Sequence, residues 1–185
     1  MGWLDVILGR TKQAEPNLDA LFALPSAAVT LQAATGLAPT GEGSVSFRAA
    51  EGGAFATLQG DVKALLGERV EESTDVYGYT WLLVRRAPDA VTDLVTELHA
   101  VNSSLEDAGF GPSLLCSLVA FADPRGRRLA IVYLYKRGTF YPFAPLGGQH
   151  RDNALELQAR GALAEELRIE EDLARWFPVW GAPGL

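Results

Sequence analysis

At 185 residues the chain fits one domain with a full core, or one domain with a small appendage. A net charge of −7 and a pI near 4.8 argue against a general nucleic-acid binder, which needs a basic face to release phosphate counterions. One cysteine and two histidines exclude an intrachain disulfide and give too few ligands for a structural zinc site.

Residues 1–10 read as a short amphipathic helix with Trp3, Leu4, Ile7 and Leu8 on one face. It serves either as an interfacial or partner-docking helix or as an N-terminal turn folded onto the core. Thr11 to Pro16 reads as a linker, so residues 1–16 form an N-terminal segment and 17–185 a single domain. Asn17 is placed to cap a brief helix, Leu18 to Leu24, that Pro25 stops. Ala27 to Ala34 and Ser44 to Ala49 read as strands around a Gly- and Pro-bearing loop, 35–43. Phe55, Leu58, Val62, Leu65 and Leu66 follow helical spacing and predict a helix from about 54 to 66.

Tyr77 to Arg86 is an aromatic and β-branched strand. Pro88 then opens a helix whose stripe is Val91, Leu94, Leu98, Val101 and Leu105, and Gly109 ends it. Leu114 to Ala122 and Arg128 to Tyr135 form a hairpin through Asp123-Pro-Arg-Gly126. Thr139 to Phe143 adds a third strand, which Pro142 confines to a sheet edge. Asp152 caps a last helix from about 153 to 167, followed by an extended tail carrying Trp176, Phe177 and Trp180. Strands grouped around helices predict an α+β fold: a single domain whose mixed, mainly antiparallel sheet carries flanking helices. No segment approaches the roughly 18 apolar residues of a spanning helix, and no secretory signal opens the chain, so the expectation is a cytoplasmic protein with at most peripheral membrane contact.

Catalytic equipment is sparse. Nucleophilic catalysis needs Ser, Cys or Thr beside a base, and only His99 and His150 offer one. His99 sits one position off a helix stripe and reads as a half-buried structural residue. His150 lies in a polar loop, a better place for a reactive group. Cys116, inside an apolar run, reads as a small hydrophobe. Arg125, Arg127 and Arg128 form a small basic patch that reads as a solvated hairpin tip. No dinucleotide, phosphate-loop or EF-hand pattern occurs, so no cofactor or metal is expected.

The aromatic runs remain. Tyr135, Phe140, Tyr141 and Phe143 surround a Lys136-Arg137-Gly138 turn, and Trp176, Phe177 and Trp180 crowd the tail. Such residues either close a core or form a docking surface with Arg137, as Trp, Tyr and Arg do in binding hot spots. For the tail, folding over the sheet to seal the core is the favoured reading.

Several stretches resemble the PspA-associated PspAB family. They include Met1-Gly-Trp-Leu-Asp5, Asn17-Leu-Asp-Ala-Leu-Phe-Ala-Leu-Pro25, Tyr133-Leu-Tyr-Lys-Arg-Gly-Thr-Phe-Tyr-Pro142, Arg151-Asp-Asn-Ala-Leu-Glu-Leu157 and Arg175-Trp-Phe-Pro-Val-Trp180. The likeness spans nearly the whole chain. It implies a non-enzymatic accessory role beside a PspA-like coiled-coil protein in the phage-shock envelope-stress response, and it transfers no catalytic residue. The expected partner-binding set is Trp3, Tyr135, Arg137, Phe140, Tyr141, Phe143, Trp176, Phe177 and Trp180. The alternative is a small-ligand binder or an enzyme with a cleft near His150, Arg137 and Tyr141.

Overall fold

The computed structural model describes residues 15–185, so the expectations for residues 1–14, including Trp3, lie outside the described residues. A 3-10 stretch, Leu18–Ala23, runs straight into helix α1 (Leu24–Thr35). There follow β1 (Ala38–Arg48), α2 (Gly53–Leu66), β2 (Val70–Thr74) and β3 (Tyr79–Arg85). Next come α3 (Val91–Leu105), β4 (Leu114–Ala122), β5 (Arg128–Leu134) and β6 (Thr139–Phe143). A two-residue ladder, β7 (Pro145–Leu146) with β8 (His150–Arg151), leads to α4 (Asn153–Leu163), capped by the Asp152 carboxylate on the Leu155 N–H. Six strands form one antiparallel sheet in the order β2-β3-β1-β4-β5-β6. The expected α+β class holds.

Four elements differ from expectation. Pro25 opens a helix instead of stopping one, because in the first turn its missing N–H is an unpaired donor anyway. Ala27 to Ala34 is therefore helical: Leu21, Leu24, Ala28 and Leu31 recur at helical spacing and are buried. Residues 18–35 also have the length and mean hydropathy, 1.2, of a membrane-crossing helix, contrary to the expectation of no such segment. Here their buried stripe packs on α3, α4 and β1, as a core helix does.

The expected loop 35–43 is largely strand. Gly41, at φ 85°, makes the bulge that shifts the register between Pro39 and Gly43, and a Cβ there would lie 2.1 Å from the Arg86 carbonyl oxygen. Strand β2 was not anticipated, being polar and exposed along an edge. The last helix ends at Leu163, four residues early. The β4–β5 hairpin and edge strand β6 stand where the sequence puts them.

One sheet face is covered by helices. Val45, Phe47, Leu82, Val84, Val119, Phe121 and Ile131 pack there against Leu31, Leu94, Leu98 and Leu163. On the other face Trp81, Cys116, Leu118, Val132, Tyr141 and Phe143 pack against Trp176 and Ala182 of the tail. The favoured reading of the tail is correct: it seals a second core.

Candidate functional site

Residues 168–170 first run along β6, where the Phe140 N–H donates to the Arg168 carbonyl and the Glu170 N–H to the Phe140 carbonyl. This covers the edge that Pro142 leaves poor in donors. Trp176 then stacks on Tyr141 at 6.1 Å and donates Nε1–H to the Glu170 carbonyl at 2.9 Å. The Tyr141 hydroxyl donates to the Phe177 carbonyl at 2.8 Å, and burial pushes its pKa upward. Trp180 meets Phe143 edge-on at 4.9 Å.

Tyr135, Phe140, Tyr141, Phe143 and Trp176 are all buried, but on two faces: Tyr135 and Phe140 in the helix-face core, Tyr141, Phe143 and Trp176 in the core beneath the tail. Burial pushes the Tyr135 hydroxyl up to about 12. Arg137 is engaged internally, donating to the buried Glu170 carboxylate, which also accepts from Thr139 Oγ1 and the Asp172 N–H. Burial acts to raise the Glu170 pKa, but these donors outweigh it and hold the carboxyl below its ordinary 4.5. Of the expected partner-binding residues described, Phe177 stands out at 57% exposure, with Trp180 half-buried.

Phe177 follows directly on the floor of a cleft of about 330 Å³ between α4 and the tail, lined by Arg151, Asn153, Glu156, Leu157, Leu173 and Trp176. Leu157 and Leu173 on its walls are 53% and 54% exposed. The cleft is braced from beneath. Buried Glu156 accepts the Ala144 N–H at 2.9 Å and Arg151 Nε at 2.8 Å, while Arg151 Nη1 donates to the Trp176 carbonyl at 2.6 Å. The Arg151 guanidinium lies over Phe143 at 4.9 Å, and that of Arg160 over Trp176 at 5.9 Å. The result is an apolar groove with arginines at its side. Trp176 and Phe177 were legible as candidates. Leu157 and Leu173 were not, because only the packing of α4 against the tail brings them together.

The other candidates are dispersed. His150 is exposed in the β7–β8 hairpin, Tyr141 is buried, and Arg137 faces Glu170; the three share no hydrogen bond among the described residues. His99 is half-buried, as expected, stacked beside Phe22 at 4.5 Å. Its Nε2 lies 3.2 Å from Asp19 Oδ1 and its Nδ1 3.2 Å from Ser103 Oγ, in a cleft of about 320 Å³ that Glu106 and Asp107 also line. A Ser–His–Asp contact chain is the pattern nucleophilic catalysis uses. Here Asp19 is 84% exposed and acidic neighbours oppose an oxyanion, so the contacts read as a surface brace on α3. The His99–Ser103 pair was legible at i,i+4 spacing, whereas Asp19 lies 80 residues away.

Fold and groove define a small α+β protein with an open apolar cleft between its last helix and its tail. The chain belongs to the PspA associated protein B (PspAB) family, whose sequence profile matches residues 1–184. Comparison with curated proteins and with solved structures gives no match.

Proposed function

We propose that the protein is a non-enzymatic adaptor that seats a helix of a PspA-type coiled-coil protein in the groove between α4 and the tail. The family description supports the partner, since it names association with PspA. The groove carries the reading: exposed Leu157 and Leu173 line it around a floor braced by Glu156, Arg151 and Trp176, and exposed Phe177 is the next residue after that floor. A helix docks by laying apolar positions three and four residues apart into such a groove. Arg160, whose guanidinium lies over Trp176, favours an acidic flanking position on that helix. The buried rings of Tyr141 and Phe143, with Arg137, act indirectly by holding the tail in place, while those of Tyr135 and Phe140 belong to the helix-face core. The role belongs to the envelope-stress response on the cytoplasmic side of the membrane, with membrane contact made through the partner.

The test is titration of the purified protein with a purified PspA-type partner. Replacing Phe177→Ala or Leu157→Asp is expected to weaken binding by about thirtyfold, the about 2 kcal/mol of one hot-spot residue, with the melting temperature unchanged. Undiminished binding by both variants, or no binding by the unaltered protein, overturns the proposal.

A further inference from the structure

Three arginines, Arg125, Arg127 and Arg128, stand within four positions of a chain whose net charge is −7. The β4–β5 turn explains only one. Asp123 Oδ1 accepts the N–H groups of Arg125 and Arg127 at 3.0 and 2.9 Å, and Oδ2 accepts Arg127 Nε at 2.7 Å. Arg127 Nη2 continues to the Thr35 carbonyl at 2.7 Å, so this side chain braces the turn against the end of α1. Arg125 is different: its side chain is 84% exposed and comes only within 3.9 Å of the Asp123 carboxylate. Arg128 makes a single side-chain hydrogen bond among the described residues, 3.3 Å to the Gly184 carbonyl. Two guanidinium forks therefore stand with most of their donors open.

These arginines line a cleft of about 250 Å³ with Pro145, Leu146, Asp152 and Leu155. Asp123 is paired with Arg127 and the turn amides, while Asp152, which caps α4 through the Leu155 N–H, is the one carboxylate among the described residues lining the cleft against its three arginines. Opposite the arginines, Pro145 and the half-exposed Leu146 supply an apolar wall. Paired forks match the oxygens of a phosphate, and an apolar wall beside them suits a carbon arm rather than a bare ion.

We propose that this cleft binds an organic phosphate, its phosphate group held by Arg125 and Arg128 and its carbon arm laid against Pro145 and Leu146. A soluble phosphate ester and the headgroup of an anionic phospholipid share this chemistry. The site is separate from the groove between α4 and the tail, so either assignment can fail without the other.

The experiment uses the full chain and a double variant, Arg125→Ser with Arg128→Ser, which leaves Arg127 in place. The unaltered protein is titrated with glycerol 3-phosphate and with inorganic phosphate, and sedimented with phosphatidylglycerol–phosphatidylcholine vesicles. The ester is expected to bind more tightly than inorganic phosphate, and the double variant to bind it at least about tenfold more weakly. Arginine-dependent sedimentation with the vesicles, without binding of the soluble ester, identifies the headgroup as the source. If the double variant melts early, Arg125→Ser alone takes its place, because that side chain is solvated and its loss leaves the core untouched. Absence of binding to ester and vesicles alike, binding that the variants leave unchanged, or equal affinity for ester and inorganic phosphate overturns the proposal.

Discussion

Glu170 shows how single side chains hold the two cores together. Its carboxylate is buried, yet it gathers Arg137, Thr139 and the Asp172 N–H, while its backbone anchors Trp176 and pairs with Phe140. Because its folded pKa lies below its ordinary 4.5, it stabilises the fold above that value, and the stabilisation is lost as pH falls through the folded pKa. Asp75 shifts in the same direction from 3.8: burial would raise it, but Trp81 Nε1 and the Tyr77 and Tyr79 amides together lower it. Urea midpoints measured from neutral pH downward should therefore hold steady and then drop below about pH 4.5. Glu170→Gln, which leaves Arg137 without its anion, should cost about 1–3 kcal/mol at pH 7 and flatten that drop. A variant with the same pH profile as the original would remove Glu170 from this role. Cys116 gives a second case: burial pushes its thiol up to about 12, so the folded protein should resist thiol alkylation at pH 8 and label fully in guanidinium. Rapid labelling of the native state would contradict the packing described. The edge position implied by Pro142 could be read from the sequence because proline's missing donor is a local property. Whether Tyr141 faces solvent or Trp176 could not, since their contact spans 35 residues of chain.

Elements were legible in proportion to how locally they are determined. The hairpin of β4 and β5 carries its turn chemistry in four residues, and the capped start of α4 in one aspartate. Helix α1 was misread because Val29 and Leu31 alternate with small residues, while the stripe that buries it begins earlier, at Leu21. Polar β2 carries no buried face and takes its strand form from pairing with β3. The tail behaves as an element of its own, held by ring stacking and side-chain bonds instead of a ladder. Trp176→Ala should accordingly act like a core deletion, costing about 3–5 kcal/mol and lowering the melting temperature by about 6 °C or more. Phe177→Ala, one residue on but exposed, should stay within about 0.5 kcal/mol. Calorimetry on the pair separates a lid residue from a docking residue. Equal losses would mean that Phe177 is also part of the seal.

Across the whole protein, one sheet has solved the problem of two apolar faces in two different ways. The helix face is closed by α1, α2, α3 and α4, whose stripes interlock with side chains of the inner strands. The tail face is closed by a short irregular segment that crosses from β6, through Trp176 and Trp180, to Gly184 beside Leu83 and Glu42. Irregular segments with few backbone bonds open at lower free energy than ladders and helices, so the two cores should differ in local stability. Cutting the chain after Arg175 tests this division. The helix-face core keeps all its members, so far-ultraviolet circular dichroism should be largely retained. Tyr141, Phe143, Val132 and Leu118 lose their cover, and an exposed sheet face of that kind binds hydrophobic dyes and self-associates. The expected outcome is a folded but dye-binding, concentration-dependent species whose melting temperature falls with the loss of Trp176 packing. A truncated chain that unfolds outright would show that the faces are a single cooperative unit. One that stays monomeric and dye-free would show that the tail covers no apolar surface of consequence. Either result bears on the groove, because Leu173, Trp176 and Phe177 belong to the tail and Leu157 to α4, so docking there requires the lid to be shut.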